Sequence, residues 1–258
     1  MSYKINDITF YFENNKVINN LSITLEKGKF FGIIGPNGCG KTTFLDLLLR
    51  HLSPATGSIA FMGKDLKKYS KKELSRKIAL VPQNYYINFP FKVKEIVLMG
   101  RYPHISRFNS PSEKDYNIVN DVMQKTGTYK FKDQHITKLS GGERQRVVFA
   151  RSLAQDTPVL ILDEATSNLD INYTFNLLNI AKQSVIQSNK TIIAVFQDIN
   201  LASFYCDYLI FMSQGNIVFH GTVDKVLTAH TIKSVFFVNS KVYYDSYSDS
   251  KHVVYKAK

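Results

Sequence analysis

The sequence predicts an α/β fold built on a parallel sheet, and three observations carry that prediction. Short apolar runs at residues 30–34, 78–81, 158–162, 191–196 and 208–212 alternate with amphipathic stretches, the rhythm of buried strands joined by helices. The run at 30–34 leads directly into a glycine-rich loop followed by a helical pattern over 42–49. Another, Val159-Leu160-Ile161-Leu162, ends in two carboxylates, Asp163 and Glu164.

Taken in order, residues 5–12 and 17–25 read as strands around the polar turn Glu13-Asn14-Asn15, and 58–61 is a further strand. Between 61 and 78 lies SKKELSRK, a basic helical segment with a solvated face. Residues 93–137 turn mostly helical, with Pro103 and Pro111 as breakers, which predicts a helical insertion over about 90–140. Residues 231–258 alternate apolar and polar like a small terminal β hairpin, and no repeat or low-complexity linker divides the chain. The domain expectation is therefore one unit over 1–230 and a short extension over 231–258.

The 258 residues are 44% hydrophobic, enough for a substantial core, which argues against disorder. The 33 Lys+Arg against 21 Asp+Glu leave a net charge of +12 and a pI near 9.5. An anionic partner follows, with nucleic acid, lipid headgroups and nucleotide phosphates all open on charge alone. No stretch of 18 apolar residues occurs and the first residues lack a basic start and apolar run, so the expectation is a chain that neither spans a membrane nor is secreted by itself. Cys39 and Cys206 are too few for a disulfide framework and lack zinc spacing, which suits a reducing cytosol.

Gly35-Pro36-Asn37-Gly38-Cys39-Gly40-Lys41-Thr42 fits G-x-x-x-x-G-K-[ST] between a strand and a helix. Its glycines let backbone N–H groups converge on phosphate, and the helix N-terminus adds positive charge. Lys41 is expected at the β/γ-phosphates, the Thr42 hydroxyl on Mg²⁺, and Thr43 is grouped with the loop as ATP-binding. Asp163 is expected in the Mg²⁺ shell. Glu164, on the opposite side of the pleat, is expected to act as general base on the attacking water.

Leu139-Ser140-Gly141-Gly142-Glu143-Arg144-Gln145-Arg146 resembles the signature of ATP-binding cassette (ABC) ATPases. Gln83 in VPQ resembles that family's Q-loop, and Ser167-Asn168-Leu169-Asp170 its D-loop. The resemblance covers roughly residues 5–228. It implies a P-loop NTPase with a RecA-like core, an N-terminal antiparallel β subdomain and a helical insertion, binding ATP and Mg²⁺. It also implies two copies meeting head to tail, with Ser140, Gly141, Gly142 and Glu143 closing on ATP held by the other subunit and Asp170 at the dimer contact. Gln83 joins Thr42 and Asp163 as a metal ligand and, with Lys41 and Glu164, as a catalytic group. Phe12, with Tyr11 as alternate, falls where an aromatic stacks on adenine; ordinary core packing is its other reading.

VKEIVLMGRYPHISRF resembles the insertion of importer ATPases for ferric siderophores, haem and vitamin B12, as do the segments around VPQ and LDINYTFNLL. That likeness implies two integral-membrane permease subunits, indirectly a substrate-binding protein, and a peripheral place on the cytoplasmic face of the inner membrane. It makes Arg101, Tyr102 and His104 candidates for coupling to the permease. Nucleic acid is not an expected partner, since no DNA-reading motif is present. Two departures stand out: Ala165 where the family has Pro, and Gln197 where it has a His that contacts the γ-phosphate. Gln donates a neutral hydrogen bond but carries no charge and relays no proton. Slow hydrolysis is the expectation, with strongly reduced turnover and a soluble iron–sulfur assembly ATPase as the alternatives.

Overall fold

A computed structural model describes residues 1–83, 85, 87–106, 108–167 and 169–256; Asn168 of the segment 167–170 lies outside the described residues. The chain forms two compact units, residues 1–69 with 191–258, and residues 70–190.

In the first unit β1 (Tyr3–Phe12) and β2 (Asn15–Leu25) make a hairpin whose turn holds Glu13 at φ 52°. Ile5, Leu21, Ile23 and Leu25 are buried between exposed neighbours, the mark of a sheet with one wet face. β3 (Phe30–Ile34) leaves for a second sheet, while β4 (Thr56–Phe61) and β5 (Lys64–Asp65) complete the first as β2-β1-β4-β5.

The second sheet pairs β3 in parallel with both β8 (Thr191–Val195) and β9 (Tyr208–Ser213). Every residue of β3 and β8 is buried, so neither strand alternates. Helix α1 (Lys41–Leu48) buries Phe44, Leu45, Leu47 and Leu48, and Tyr3 donates its hydroxyl to Leu48 O at 3.1 Å. Helices α7 (Ile199–Tyr205), α8 (Val223–Val226) and α9 (Ala229–Phe236) follow the later strands.

A strand absent from the sequence expectation, β10 (Asn216–Thr222), pairs antiparallel with β9. Its turn is the dipeptide Gln214-Gly215 with φ of 47° and 78°, a two-residue hairpin in which both positions are left-handed. The hairpin expected over 231–258 is shorter than that. Residues 231–236 belong to α9, where Ile232 and Val235 share a buried face at helical spacing, and Phe237 at φ 59° ends it. Only β11 (Asn239–Asp245) and β12 (Ser250–Lys256) form the antiparallel pair.

In the second unit β6 (Ile78–Val81) and β7 (Val159–Asp163) run parallel, with helices α2 (Lys71–Ser75), α3 (Val93–Leu98), α4 (Glu113–Lys125), α5 (Gly141–Ala154) and α6 (Ile171–Ser188). SKKELSRK starts α2 through a reciprocal cap between Ser70 and Glu73. The insertion has its own core, in which Val93, Ile96 and Val97 of α3 pack with Val119 and Met123 of α4 and Val147 of α5.

This packing corrects the coupling role expected of Arg101. At Gly100 a Cβ would lie 2.2 Å from Arg151 O, so only glycine lets the segment press onto α5. Arg101 is thereby only 6% exposed. It donates from Nε to Asp115 Oδ1 at 2.9 Å and from Nη1 to Ala154 O at 2.8 Å. His104, half-buried, bonds Gln155 O at 2.8 Å. Tyr102 alone of the three is exposed. The basic residue joins the insertion to α5 from inside and is not offered to a partner.

Hydrogen bonds from Ser112, and then the Arg101 guanidinium, hold the Asp115 carboxyl down at about 2 against an ordinary 3.8. A carboxyl depressed in the folded state contributes its full stability above about pH 3.8 and loses it as pH falls through about 2. Asp115→Asn is expected to flatten the acid limb of a Tm-against-pH curve in that window, and an unchanged limb would refute the assignment. Arg101→Ala leaves a buried carboxylate unpaired and should cost about 3–5 kcal/mol in urea unfolding.

Candidate functional site

The phosphate loop is shaped by close backbone packing at the end of β3. At Gly35 a Cβ would meet Met212 O at 2.2 Å and Cys39 Sγ at 2.8 Å, so any side chain would push the loop off β9. Gly40 caps α1 in the left-handed region at φ 104°, and no side chain caps that helix, leaving its first N–H groups for a ligand. Cys39 fixes the middle of the loop: its N–H donates to Pro36 O at 3.3 Å and its carbonyl accepts from Gly215 N–H at 3.1 Å. Its thiol is buried, which raises its pKa more than the nearby Lys41 lowers it.

Lys41, the first residue of α1, is 7% exposed and folds back over the loop. Its Nζ donates to Gly35 O at 2.8 Å and Pro36 O at 3.0 Å, two of the three bonds an ammonium can make. Asn37, Gly38 and Thr42 are exposed, and Pro36 and Thr43 are half-buried. A held ammonium at the start of a helix with no side-chain cap fits a phosphate chain. In the same unit Phe12 ends β1 at 51% exposure, touching Phe10 edge-on at 4.9 Å between ring centroids, so its ring is not core. Gln197 is exposed in the short link from β8 to α7.

The second unit brings Gln83 and Glu164 together. Val81 pairs with Leu162 in the parallel ladder of β6 and β7, so residues two further along leave the same end side by side. Gln83 Nε2 donates to Glu164 Oε2 at 2.6 Å, a charge-assisted bond that orients the carboxylate. Gln145 of α5 braces both loops, donating from Nε2 to Ala165 O at 3.3 Å and Pro82 O at 3.4 Å. Asp163 is buried as the last residue of β7. Glu164 departs from the sequence expectation: it is not the next residue of the pleat but lies outside the strand at φ 47°. A left-handed non-glycine residue here is local strain at a chemically active position. Ala165, in place of the expected Pro, is buried and keeps its carbonyl on Gln145.

The signature residues begin α5. Ser140 caps it, accepting from Glu143 N–H at 3.3 Å, while its own N–H and hydroxyl each donate to Glu143 Oε2 at 2.9 Å. Those bonds hold the Glu143 carboxyl below the usual range. Ser140, Gly142 and Glu143 line a hollow of about 220 Å³ together with Asp170, which caps α6 by accepting from Tyr173 N–H at 3.0 Å. Lys130, Arg146 and Tyr173 also line it, and the Arg146 guanidinium lies 3.7 Å from the Tyr173 ring centroid. Sequence reasoning did not select these three. Arg146 and Tyr173 stood inside quoted segments without being singled out, and Lys130 carries no signal in spacing or composition. Gly141, the first residue of α5, is exposed.

A family model described as ABC transporter matches residues 18–167. The chain is 36% identical to the ferric enterobactin transport ATP-binding protein FepC of Escherichia coli (strain K12) over 96% of its own length and 91% of that protein's. It is 34% identical to the iron(3+)-hydroxamate import ATP-binding protein FhuC of Bacillus subtilis (strain 168), over 89% and 85%. It is 35% identical to the cobalamin import ATP-binding protein BtuD of Halobacterium salinarum over 92% of this chain, and spans 59% of that relative. It spans 51% of another relative, the ABC transporter ATP-binding protein YvrA of Bacillus subtilis. Among solved structures, one described as an inward-facing metal-chelate type ABC transporter superposes with a TM-score of 0.86 at 27% identity, covering 100% of this chain and 98% of that one. A bacterial ABC transporter cassette solved as a dimer shares the fold at TM-score 0.76 and 23% identity, covering 86% and 98%. With the family model, the near full-length likeness to FepC and FhuC and the shared fold in agreement, the chain belongs to the ABC transporter family, as an ATP-binding cassette with the P-loop ABC ATPase fold.

Proposed function

We propose that this chain is the ATP-hydrolysing subunit of an import system for a metal chelate, working as a head-to-tail pair beneath two membrane permease subunits, with a substrate-binding protein delivering the cargo. The observation that carries hydrolysis is the 2.6 Å contact of Gln83 with Glu164, which holds a carboxylate in one orientation at the end of a buried strand. Relatives named for enterobactin, hydroxamate and cobalamin support the cargo class. Among the described residues no helix is long and apolar enough to cross a membrane, which fits a subunit docked from one side. The +12 charge suits anionic headgroups at the inner face of the inner membrane.

In this reading Phe12 stacks on adenine, a sequence-tolerant contact that needs only a π face. Lys41 exchanges its two carbonyl partners for phosphate oxygens, and the α1 amides take others. Glu164 removes a proton from water as the water oxygen attacks the γ-phosphorus and ADP leaves with the bonding pair. Gln197 donates its amide N–H to a γ-phosphate oxygen. Ser140, Gly141 and Gly142 face the γ-phosphate bound to the second copy, with Asp170 shaping the same hollow. Thr42, Asp163 and Gln83 are oxygen donors of the kind Mg²⁺ takes, and Gln83 keeps its carbonyl oxygen for that use while its amide nitrogen serves Glu164. Bound Mg²⁺ supplies neutralisation of phosphate charge.

Glu164→Gln should retain ATP binding while turnover falls by about 10²–10⁴; unchanged turnover would remove Glu164 as the base. Gln197→His restores a charge-assisted bond and should raise turnover of the assembled complex about five- to thirtyfold, the equivalent of roughly 1–2 kcal/mol. No gain would show that Gln197 imposes no penalty, and absent wild-type hydrolysis would leave an ATP-binding subunit only. Gly35→Ala should abolish nucleotide binding measured by calorimetry, because its Cβ has no room beside Met212 O. Growth rescue of a strain lacking this subunit, tried with ferric siderophores, haem and cobalamin, tests the cargo class, and failure on all three counts against it.

A further inference from the structure

Gln197 lies in the link between β8 and α7, and that link is fastened at both ends within the first unit. Phe196 N–H donates to Ile33 O at 3.0 Å, tying its start to β3. Asp198 caps α7, its carboxylate accepting from Asn200 N–H at 2.7 Å and Leu201 N–H at 3.2 Å. Helix α7 spans only 199–205, too short to keep its place without tertiary contacts.

Besides the buried side chains of Ile199, Ala202, Ser203 and Tyr205, one such contact comes from β12. Val253 N–H of β12 donates to Asn200 Oδ1 at 2.7 Å, and Asn200 Nδ2 donates back to Val253 O at 3.3 Å. One side-chain amide thus stands where a third strand would pair, satisfying both polar groups of a residue that is 3% exposed. Asparagine suits the place because its side chain presents an N–H and a C=O together, as a peptide does. On its other side β12 pairs with β11, Val253 opposite Val242, and Lys251 Nζ donates to Asp224 O at 2.6 Å, fixing the strand to α8. The phenol of half-buried Tyr255 is pushed up by burial and further by the charge of Asp198, the α7 cap residue.

We propose that the hairpin of β11 and β12 is a brace for Gln197, and that Asn200 is the positioning residue through which it acts. The inference rests on the reading of Gln197 as a γ-phosphate donor. A neutral, flexible amide has no charge to draw it to the phosphate, so its backbone must be placed for it. Any shift of α7 away from β12 moves the Asp198 cap and, one residue earlier, Gln197.

Full-length chain carrying Asn200→Ala is compared in the native and Gln197→Ala backgrounds by steady-state ATP hydrolysis. We expect kcat to fall about three- to tenfold in the native background with KM for ATP within about twofold, and less than about 1.5-fold further when Gln197 is already Ala. An equal fall in both backgrounds would reveal mere support of the fold and overturn the proposal, as would no fall at all. Hydrogen exchange gives a second reading without turnover: amides of 196–201 should exchange about tenfold faster in Asn200→Ala while those of 41–48 do not change. Faster exchange in a chain whose wild type hydrolyses no ATP would sink the ATPase reading and leave the brace standing. Normal hydrolysis with unchanged exchange at 196–201 would sink the brace alone.

Discussion

The contact between Gly35 and the Met212 carbonyl sets the geometry on which the phosphate loop depends. β3 is buried along its whole length between two parallel neighbours, so the chain can leave it only along a path already bounded by β9. With a hydrogen atom in place of Cβ, the backbone turns within van der Waals reach of Met212 and brings Cys39 and Gly40 round to the start of α1. Lys41 can then reach back across its own loop, and the helix amides open in the same direction. One missing methyl group thereby decides where a charge, a set of dipoles and a helix axis all point.

The second unit reaches its chemistry by strand register. β6 and β7 are short and buried, and parallel pairing gives their C-terminal ends a common edge where loops collect. Gln83 and Glu164 meet there because each follows its strand by the same count from a paired residue, not because either is near the other in sequence. The φ of 47° at Glu164 takes the carboxylate out of the strand's up-and-down alternation. Freed from the pleat, it faces the Gln83 amide. Gln145, reaching from the helix that the signature begins, ties both loops to α5. Glu164 is thus mechanically continuous, inside one unit, with the helix that the signature residues begin.

Much of this was legible in the residues. Apolar runs located β3, β6, β7, β8 and β9, since strands buried on both faces leave no other trace. Glycine spacing marked the phosphate loop, and the likeness to the family signature marked the residues that begin α5. What escaped notice has physical reasons. β10 follows Gln214-Gly215, a turn whose first residue is not among the usual left-handed formers. Arg101 looked like a surface group because its partners, Asp115 and Ala154, are distant in sequence and the burial that pairs them is tertiary. The α7 to β12 clasp joins residues more than fifty positions apart through one asparagine. No local pattern announces such a bond.

The resting position of Lys41 bears on which anions the loop retains. Its ammonium is already hydrogen-bonded to two carbonyl oxygens, so an incoming ion competes with neutral acceptors in place and not with bulk water. A small singly charged ion offers the lysine one contact in exchange and gains little net free energy. A polyphosphate presents several oxygens at once, spanning the lysine and the α1 amides, and so outcompetes both carbonyls together. Discrimination against an ion such as chloride is in this way built into the loop, through the carbonyl partners its lysine holds.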